Sequence, residues 1–320
     1  MTLKNGSEQW LVSRHADVRR VLADRRFSAD DTDPDFPRLL TLPPTPGALS
    51  FLRMDDPDHG RMRRMLAPEF TVRRIAAMRP GVERSVDDLL GRMVAGGAPA
   101  DLVREFALPL PSQVICQLLG VPYEDHEFFQ ECSIAALDMS ASRAETGAAF
   151  GRLAAYLEGL VAAKLSNPTD DLLGRVCTTW VHTGELAETD LVAMARLLLI
   201  AGHDTTANMI TLGTLALLRN PDQLAQLRGD PALAGAAAEE LLRYLSIIQV
   251  GLPRLALADV DVGGVTIRAG EGLVMSLASA NRDNTHFADP DALDVRRDRG
   301  HHVAFGFGMH QCIGAALARL

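Results

Sequence analysis

Near its C-terminal end the chain runs FGFGMHQCIGAALARL, residues Phe305 to Leu320, with one cysteine set among glycines. Gly306, Gly308 and Gly314 lack Cβ atoms, so the backbone around them can lie close against something flat and bulky. Cys312 immediately precedes an alanine-rich stretch that reads as a helix beginning near Gly314. The positive end of that helix and its unpaired N–H groups favour a thiolate, lowering a pKa that starts near about 8.5. A thiolate held by main-chain donors in an aromatic, glycine-rich bed suits an axial ligand to iron. Two other readings stand beside it. A lone cysteine among apolar residues is commonly a small buried hydrophobe. Zinc could use Cys312 with His310 or with the pair His301 and His302, although no second cysteine has a usable spacing and zinc does not need the glycines.

The rest of the composition narrows the setting. The chain has 320 residues, 47% of them hydrophobic, ample for one large core. Acidic residues outnumber basic ones by 41 to 32, a formal charge of -9 that disfavours nucleic acid or an anionic membrane surface as partner. Cys116, Cys132, Cys177 and Cys312 lie far apart with no CxxC spacing, which fits free thiols in an intracellular chain. The N-terminal segment MTLKNGSEQWLVSRHADVRR lacks the apolar core of a signal peptide. The longest apolar run, Leu191–Gly202, contains Arg196 and is too short to span a bilayer. A cytoplasmic monomer is expected.

Most of the sequence carries apolar residues at helical spacing. LVSRHADVRRVLAD, HGRMRRMLAPEF and GVERSVDDLLGRMVAGG predict helices, as do Thr189–Leu218 and Ala234–Leu245, whereas Thr41–Arg53 is a Pro-rich loop. Between Leu252 and Leu277 the pattern alternates and predicts short strands, with Gly263-Gly264 as a hairpin turn. The expected fold is mainly α with a small β region late in the chain, organised as a single domain over 1–320.

Within the long helix, LLLIAGHDTTANMI is apolar until Gly202, His203, Asp204, Thr205 and Thr206 interrupt it. Leu198, Ala201, Gly202, Thr205, Met209 and Leu212 share one face. Gly202 weakens a helix interior by about 1 kcal/mol relative to alanine, and Thr205 can bond back to the carbonyl of Ala201 and bend the helix. A buried Asp204 needs a partner or a purpose; the bland reading is a solvated bend.

Taken together, Phe305-Gly306-x-Gly308-x-His310-x-Cys312-x-Gly314 resembles the haem-binding loop of the cytochrome P450 monooxygenases, position for position. Ala201, Gly202, Asp204 and Thr205 are similar to that family's distal helix signature, and AGHDTTANM is closest in character to its soluble actinobacterial members. The resemblance implies the cytochrome P450 fold, haem b bound through Cys312, and insertion of one atom of dioxygen into a small apolar organic substrate. Asp204 and Thr205 would then act catalytically, Thr205 by steadying the dioxygen and Asp204 by relaying protons to it. Electrons would come from NAD(P)H through a ferredoxin and a ferredoxin reductase. A haem-binding protein without turnover is the alternative.

Further residues take their expected roles from the same resemblance, in which WLVSRHADVRRVLADRRFS from Trp10 is similar to the family's early strand followed by a helix. Glu240 and Arg243 match its Glu-x-x-Arg pair, with Arg297 as third member and Arg296 or Glu239 as weaker register alternatives. His59, Arg63, Arg254 and His310 match contacts to haem propionates. Leu197, Ile200, Ala201, Val250, Leu252 and the loop Thr41–Met54 fall where members line the substrate pocket. Arg64, Arg73, Arg74 and Arg299 form an expected docking patch for an acidic ferredoxin, or merely a solvated surface. Compared with the family's usual length, the sequence is expected to be truncated at both ends.

Overall fold

The computed structural model describes the chain except residues 4–5, 39–49, 138–141 and 299. Its helices are α1 (His15–Ala23), α2 (Asp58–Leu66), α3 (Val72–Gly96), α4 (Pro109–Leu119), α5 (His126–Leu137) and α6 (Arg143–Ser166). These are followed by α7 (Leu172–Val176), α8 (Glu188–Arg219), α9 (Pro221–Gly229), α10 (Ala234–Leu245), α11 (Leu277–Ala280) and α12 (Ala315–Ala318). The strands are β1 (Trp10–Val12), β2 (Phe27–Ser28), β3 (Val250–Ala256), β4 (Val260–Val262), β5 (Val265–Ile267) and β6 (Gly272–Ser276). Among the described residues, no helix is long and apolar enough to cross a membrane.

The helical layer is built around α8, which packs against α4, α5 and α6. Leu191, Met194, Ala195 and Leu199 of α8 are fully buried beside Leu119, Leu153 and Leu157. Each such leucine contributes about 1.5–3 kcal/mol by leaving water. Helix α6 starts at a reciprocal cap, in which the Ser142 hydroxyl accepts from the Glu145 N–H at 3.3 Å while Glu145 accepts from the Ser142 N–H at 2.8 Å.

The β region is not confined to the late part of the chain. The four-stranded sheet runs β1-β6-β3-β2, so two strands from the first thirty residues flank β6 and β3. Strand β1 pairs with β6 in parallel, Leu11 opposite Val274, while β2 and β6 each run antiparallel to β3. The stretch LVSRHADVRRVLAD therefore splits into the end of a strand and helix α1, because Leu11 and Val12 find a ready edge on buried β6. Likewise HGRMRRMLAPEF is α-helical only to Leu66 and tightens to 3₁₀ over Ala67–Phe70, where Pro68 lacks an amide hydrogen. Helix α3 begins earlier than its apolar pattern implies and carries Pro80 inside it. The β4–β5 hairpin turns on Gly263 and Gly264, with φ of +61° and +84°.

Candidate functional site

The segment 294–312 is fastened to α10 before it reaches the cysteine. Arg243 Nε and Nη2 donate to the two carboxylate oxygens of Glu240 at 2.7 and 2.8 Å. Arg243 also donates to the carbonyls of Asn281, Pro290 and Ala292. Glu240 in turn accepts from the Asp294 N–H at 3.0 Å and from Arg297 Nε at 3.1 Å. Glu240 and Arg243 are 3% and 2% exposed, so this is a buried network in which every charge has partners. The third member is Arg297, as expected; Arg296 instead donates to Gln226. Glu239 does not substitute for Glu240 but turns to His302 and Arg319.

The loop beyond that lock depends on two of its glycines. Gly306 and Gly308 have φ of +69° and +72°, a region costly to side-chain-bearing residues. A Cβ on Gly308 would also meet the Leu22 carbonyl oxygen of α1 at 2.4 Å, so this glycine lets the loop seat against protein. Gly314 is different. Its φ is an ordinary -82° and the nearest atom to a Cβ there is Cys312 Sγ at 3.9 Å. Neither backbone nor packing within the chain requires glycine there, which leaves clearance beside the sulfur as its consequence.

Cys312 is exposed, whereas Cys116, Cys132 and Cys177 are buried. The expected lowering of its thiol pKa is not what the structure shows. Burial among surrounding atoms pushes the Cys312 thiol up, against the Gly314 N–H and the charges of Arg63 and Arg319, which favour the thiolate. The residue is thus exposed while neighbouring atoms desolvate its sulfur. Its thiolate needs a cation to stabilise it, and a metal ion is the strongest local source. Burial also pushes the Cys116 and Cys177 thiols up, to about 12 and 11, so neither can supply that thiolate.

Near Cys312 is a group of buried imidazoles and guanidinium groups with few acceptors. The His59 and His310 rings lie 4.0 Å apart; His59 Nδ1 is 3.6 Å from Asp56 Oδ1, while the Nε2 atoms of both are buried without a hydrogen-bond partner. Arg254 is 3% exposed and donates to the carbonyl of its neighbour Pro253. Burial and the nearby Arg53 lower the Arg254 pKa to about 10. Burial, reinforced by Arg254, His59, Arg63 and Arg53, drives His310 down to about 2. Arg63 donates to the Gln311 carbonyl at 2.6 Å, tying α2 to the residue before the cysteine. Unsatisfied imidazoles facing buried guanidinium groups are costly unless an anion completes the set. A flat group bearing carboxylates, with a metal that accepts a thiolate, fits these residues. Among the described residues, no three His, Cys, Asp or Glu side chains gather as a metal site. His302 and His310 are engaged with Glu239 and His59 rather than converging with Cys312 as the zinc reading requires.

The polar patch of α8 sits in an unbroken helix. Thr205 Oγ1 donates to the Ala201 carbonyl at 2.7 Å, the back-bond expected from the sequence. Asp204 is half-buried and has a partner, Asn208, whose Nδ2 lies 3.2 Å from Oδ2. His203 is buried, with Nε2 3.2 Å from the Leu108 carbonyl. Ala201 is exposed although Leu197, Leu198, Leu199 and His203 around it are buried. The buried N-terminal half of α8 thus opens at Ala201. A Cβ on Gly202 would meet Ile115 Cδ1 at 3.2 Å, so Gly202 permits close packing of α8 on α4.

The expected pocket residues divide. Leu197 and Ile200 belong to the helical core, whereas Leu252, at a β-bulge with φ of +52°, packs against the sheet-side core near Gly306. Val250 opens β3 opposite Ser276. Of the loop Thr41–Met54, residues 41–49 lie outside the described residues. A cavity of about 430 Å³ borders its described end, lined by Ser50, Arg53, Met54 and Met62 with several aspartates. Of the arginine patch, Arg64 and Arg73 are exposed, Arg74 pairs with Glu69 at 3.6 Å, and Arg299 lies outside the described residues.

Burial lowers the pKa of His15, His59, His203, His302 and His310 together. Each holds a proton less readily folded than unfolded, where imidazole titrates near about 6.5, so the unfolded chain binds more protons as pH falls through that range. Stability is therefore expected to drop from about pH 7 toward pH 5 in haem-free protein, read by thermal denaturation. A flat profile over that window would contradict the buried-neutral assignment.

The sequence hid Arg319, Asn281 and the role of Glu239, because each acts through a partner more than twenty residues away. Comparison with known proteins agrees with the geometry. The cytochrome P450 family model matches residues 232–320, which hold the Glu240–Arg243 lock and the cysteine loop. Cytochrome P450-SU2 of Streptomyces griseolus is 54% identical over all of this chain and 79% of its own length. Pentalenic acid synthase of Streptomyces avermitilis is 50% identical, with 100% and 79% covered. The crystal structure of mycinamicin VIII C21 methyl hydroxylase from Micromonospora griseorubida, bound to mycinamicin VIII, superposes with a TM-score of 0.93 at 46% identity, over 99% of this chain and 81% of that one. Sequence, fold and site together make this chain a member of the haem-dependent cytochrome P450 monooxygenase family.

Proposed function

We propose that the chain binds haem b through Cys312 and inserts one atom of dioxygen into an unactivated C–H or C=C bond of a largely apolar small molecule. The second oxygen atom leaves as water, with two electrons drawn from NAD(P)H through a ferredoxin and its reductase, in the cytoplasm. The observation that carries this reading is the pairing of an exposed, desolvated Cys312 with buried His59 and His310, whose Nε2 atoms have no hydrogen-bond partner within the chain. Haem supplies dioxygen activation when bound.

The residues then divide the work. Cys312 gives its sulfur, with the Gly314 N–H and the charges of Arg63 and Arg319 favouring the thiolate. His59, Arg63, Arg254 and His310 hold the carboxylates, with the arginine forks matching two oxygens at once. Phe305, Gly306 and Gly314 bed the ring. Ala201, exposed on α8, leaves room at the distal face, and Gly202 seats that stretch of helix against α4. Thr205 offers a hydroxyl that exchanges its bond to Ala201 for one to dioxygen, while Asp204, oriented by Asn208, passes protons inward. Leu197, Ile200, Val250 and Leu252 supply apolar contacts to the substrate. Relatives named for pentalenic acid and mycinamicin VIII support a natural-product substrate and a place in secondary metabolism.

In T205A and D204N, the product formed per NADPH consumed should fall by about tenfold or more, with peroxide released instead. Haem content and the spectrum of the resting protein should stay as in wild type. Unchanged coupling in both variants would remove these residues from the proton route.

A further inference from the structure

Glu239 does work that the neighbouring Glu240 does not. One of its oxygens accepts from Arg319 Nε at 2.5 Å; the second accepts from Arg319 Nη2 at 3.1 Å and lies 3.2 Å from His302 Nε2. His302 and Arg319 lie on either side of Cys312 in the sequence. One carboxylate on α10 therefore grips both flanks of the cysteine segment. The grip extends to Phe305, since the Arg319 guanidinium carbon lies 4.5 Å from the centre of its ring.

The histidine tautomer is determined by its neighbours. The Ala304 N–H donates to His302 Nδ1 at 3.2 Å, so Nδ1 carries no proton. Neutral His302 must then carry its proton on Nε2, where it donates to Glu239. The His302 side chain is 4% exposed and burial lowers its pKa, which keeps this neutral form. Burial alone would raise Glu239, but the Arg319 and His302 contacts outweigh it and hold the carboxyl below its usual range.

We infer that Glu239 is a positioning residue that fixes the cysteine loop, through His302 on the segment entering it and Arg319 at the C-terminal end of α12, and thereby sets the register of Cys312. Glu240 anchors the approach at Asp294 and Arg297; Glu239 anchors the loop itself. The consequence for ligation rests on the haem reading above, whereas the clamp does not.

Hydrogen–deuterium exchange on the full, haem-loaded chain separates the two. In E239Q, which keeps the shape and loses the charge, peptides within 302–319 should exchange about tenfold faster than in wild type, while β3 and β6 are unaffected. E239A should show at least as much. R319K keeps a charge but loses the two-point grip, and reads the same clamp should the Glu239 variants fail to fold. In the reduced carbon monoxide complex, E239Q and R319K should show a larger share of thiol-ligated haem. Unaltered exchange over 302–319, or an increase no greater than in β3 and β6, would overturn the inference. Faster exchange in E239Q, together with a haem spectrum indifferent to C312S, would keep the clamp and remove the haem reading instead.

Discussion

Arg243→Ala is expected to destabilise the chain by about 3–5 kcal/mol, the cost of stripping one partner from a buried ion pair. That is a large fraction of the roughly 5–15 kcal/mol that holds a typical domain folded. The change leaves Glu240, 3% exposed, without its guanidinium, and also abandons the carbonyls of Asn281, Pro290 and Ala292. Arg297 cannot compensate, since it already donates to Glu240 and to the carbonyls of Ala288, Asp289 and Ala292. Because Asn281 also accepts from the Val303 N–H at 2.8 Å, the damage should spread into the cysteine loop. Denaturant unfolding of full-length protein measures it. A loss below about 1 kcal/mol for R243A would show that the network is solvated rather than structural.

How much of this was legible depended on distance along the chain. Helix α10 has the bounds its apolar spacing implies, and α8 differs by one residue at each end. The Thr205 back-bond is also local, four residues long, and needs no knowledge of the fold. Strands β1 and β2 were not legible as parts of the late β region. Three- and two-residue segments carry almost no alternation, and their pairing is set by β6 and β3 more than two hundred residues away. The direction of the Cys312 shift failed for a related reason. A helix terminus can be read from adjacent letters, but the atoms that desolvate the sulfur come from elsewhere in the fold. Gly308 illustrates the same limit. Its glycine suggested clearance for a cofactor, whereas its contact is with Leu22 of α1.

Cys312→Ser carries the second large effect. The alcohol of serine ionises far less readily than a thiol and is a poor partner for haem iron, so oxygenation should fall by more than about a hundredfold, beyond the cost of losing an outer-shell partner at metal sites. Helix content should be unchanged, because the residue is exposed and supports no core contact of its own. Haem occupancy should fall less than activity, since His59, Arg63, Arg254 and His310 still offer the carboxylate contacts. Serine at Cys116, by contrast, should leave the haem spectrum in place, its thiol being held protonated by burial.

The most direct measurement is the carbon monoxide difference spectrum of the reduced, haem-loaded full-length chain, taken beside that of C312S. Ligation by Cys312 predicts the long-wavelength Soret band of thiolate-bound haem in wild type and its disappearance in C312S. A histidine- or thiol-type band in wild type, or a thiolate band that persists without Cys312, would contradict the assignment on which the site rests.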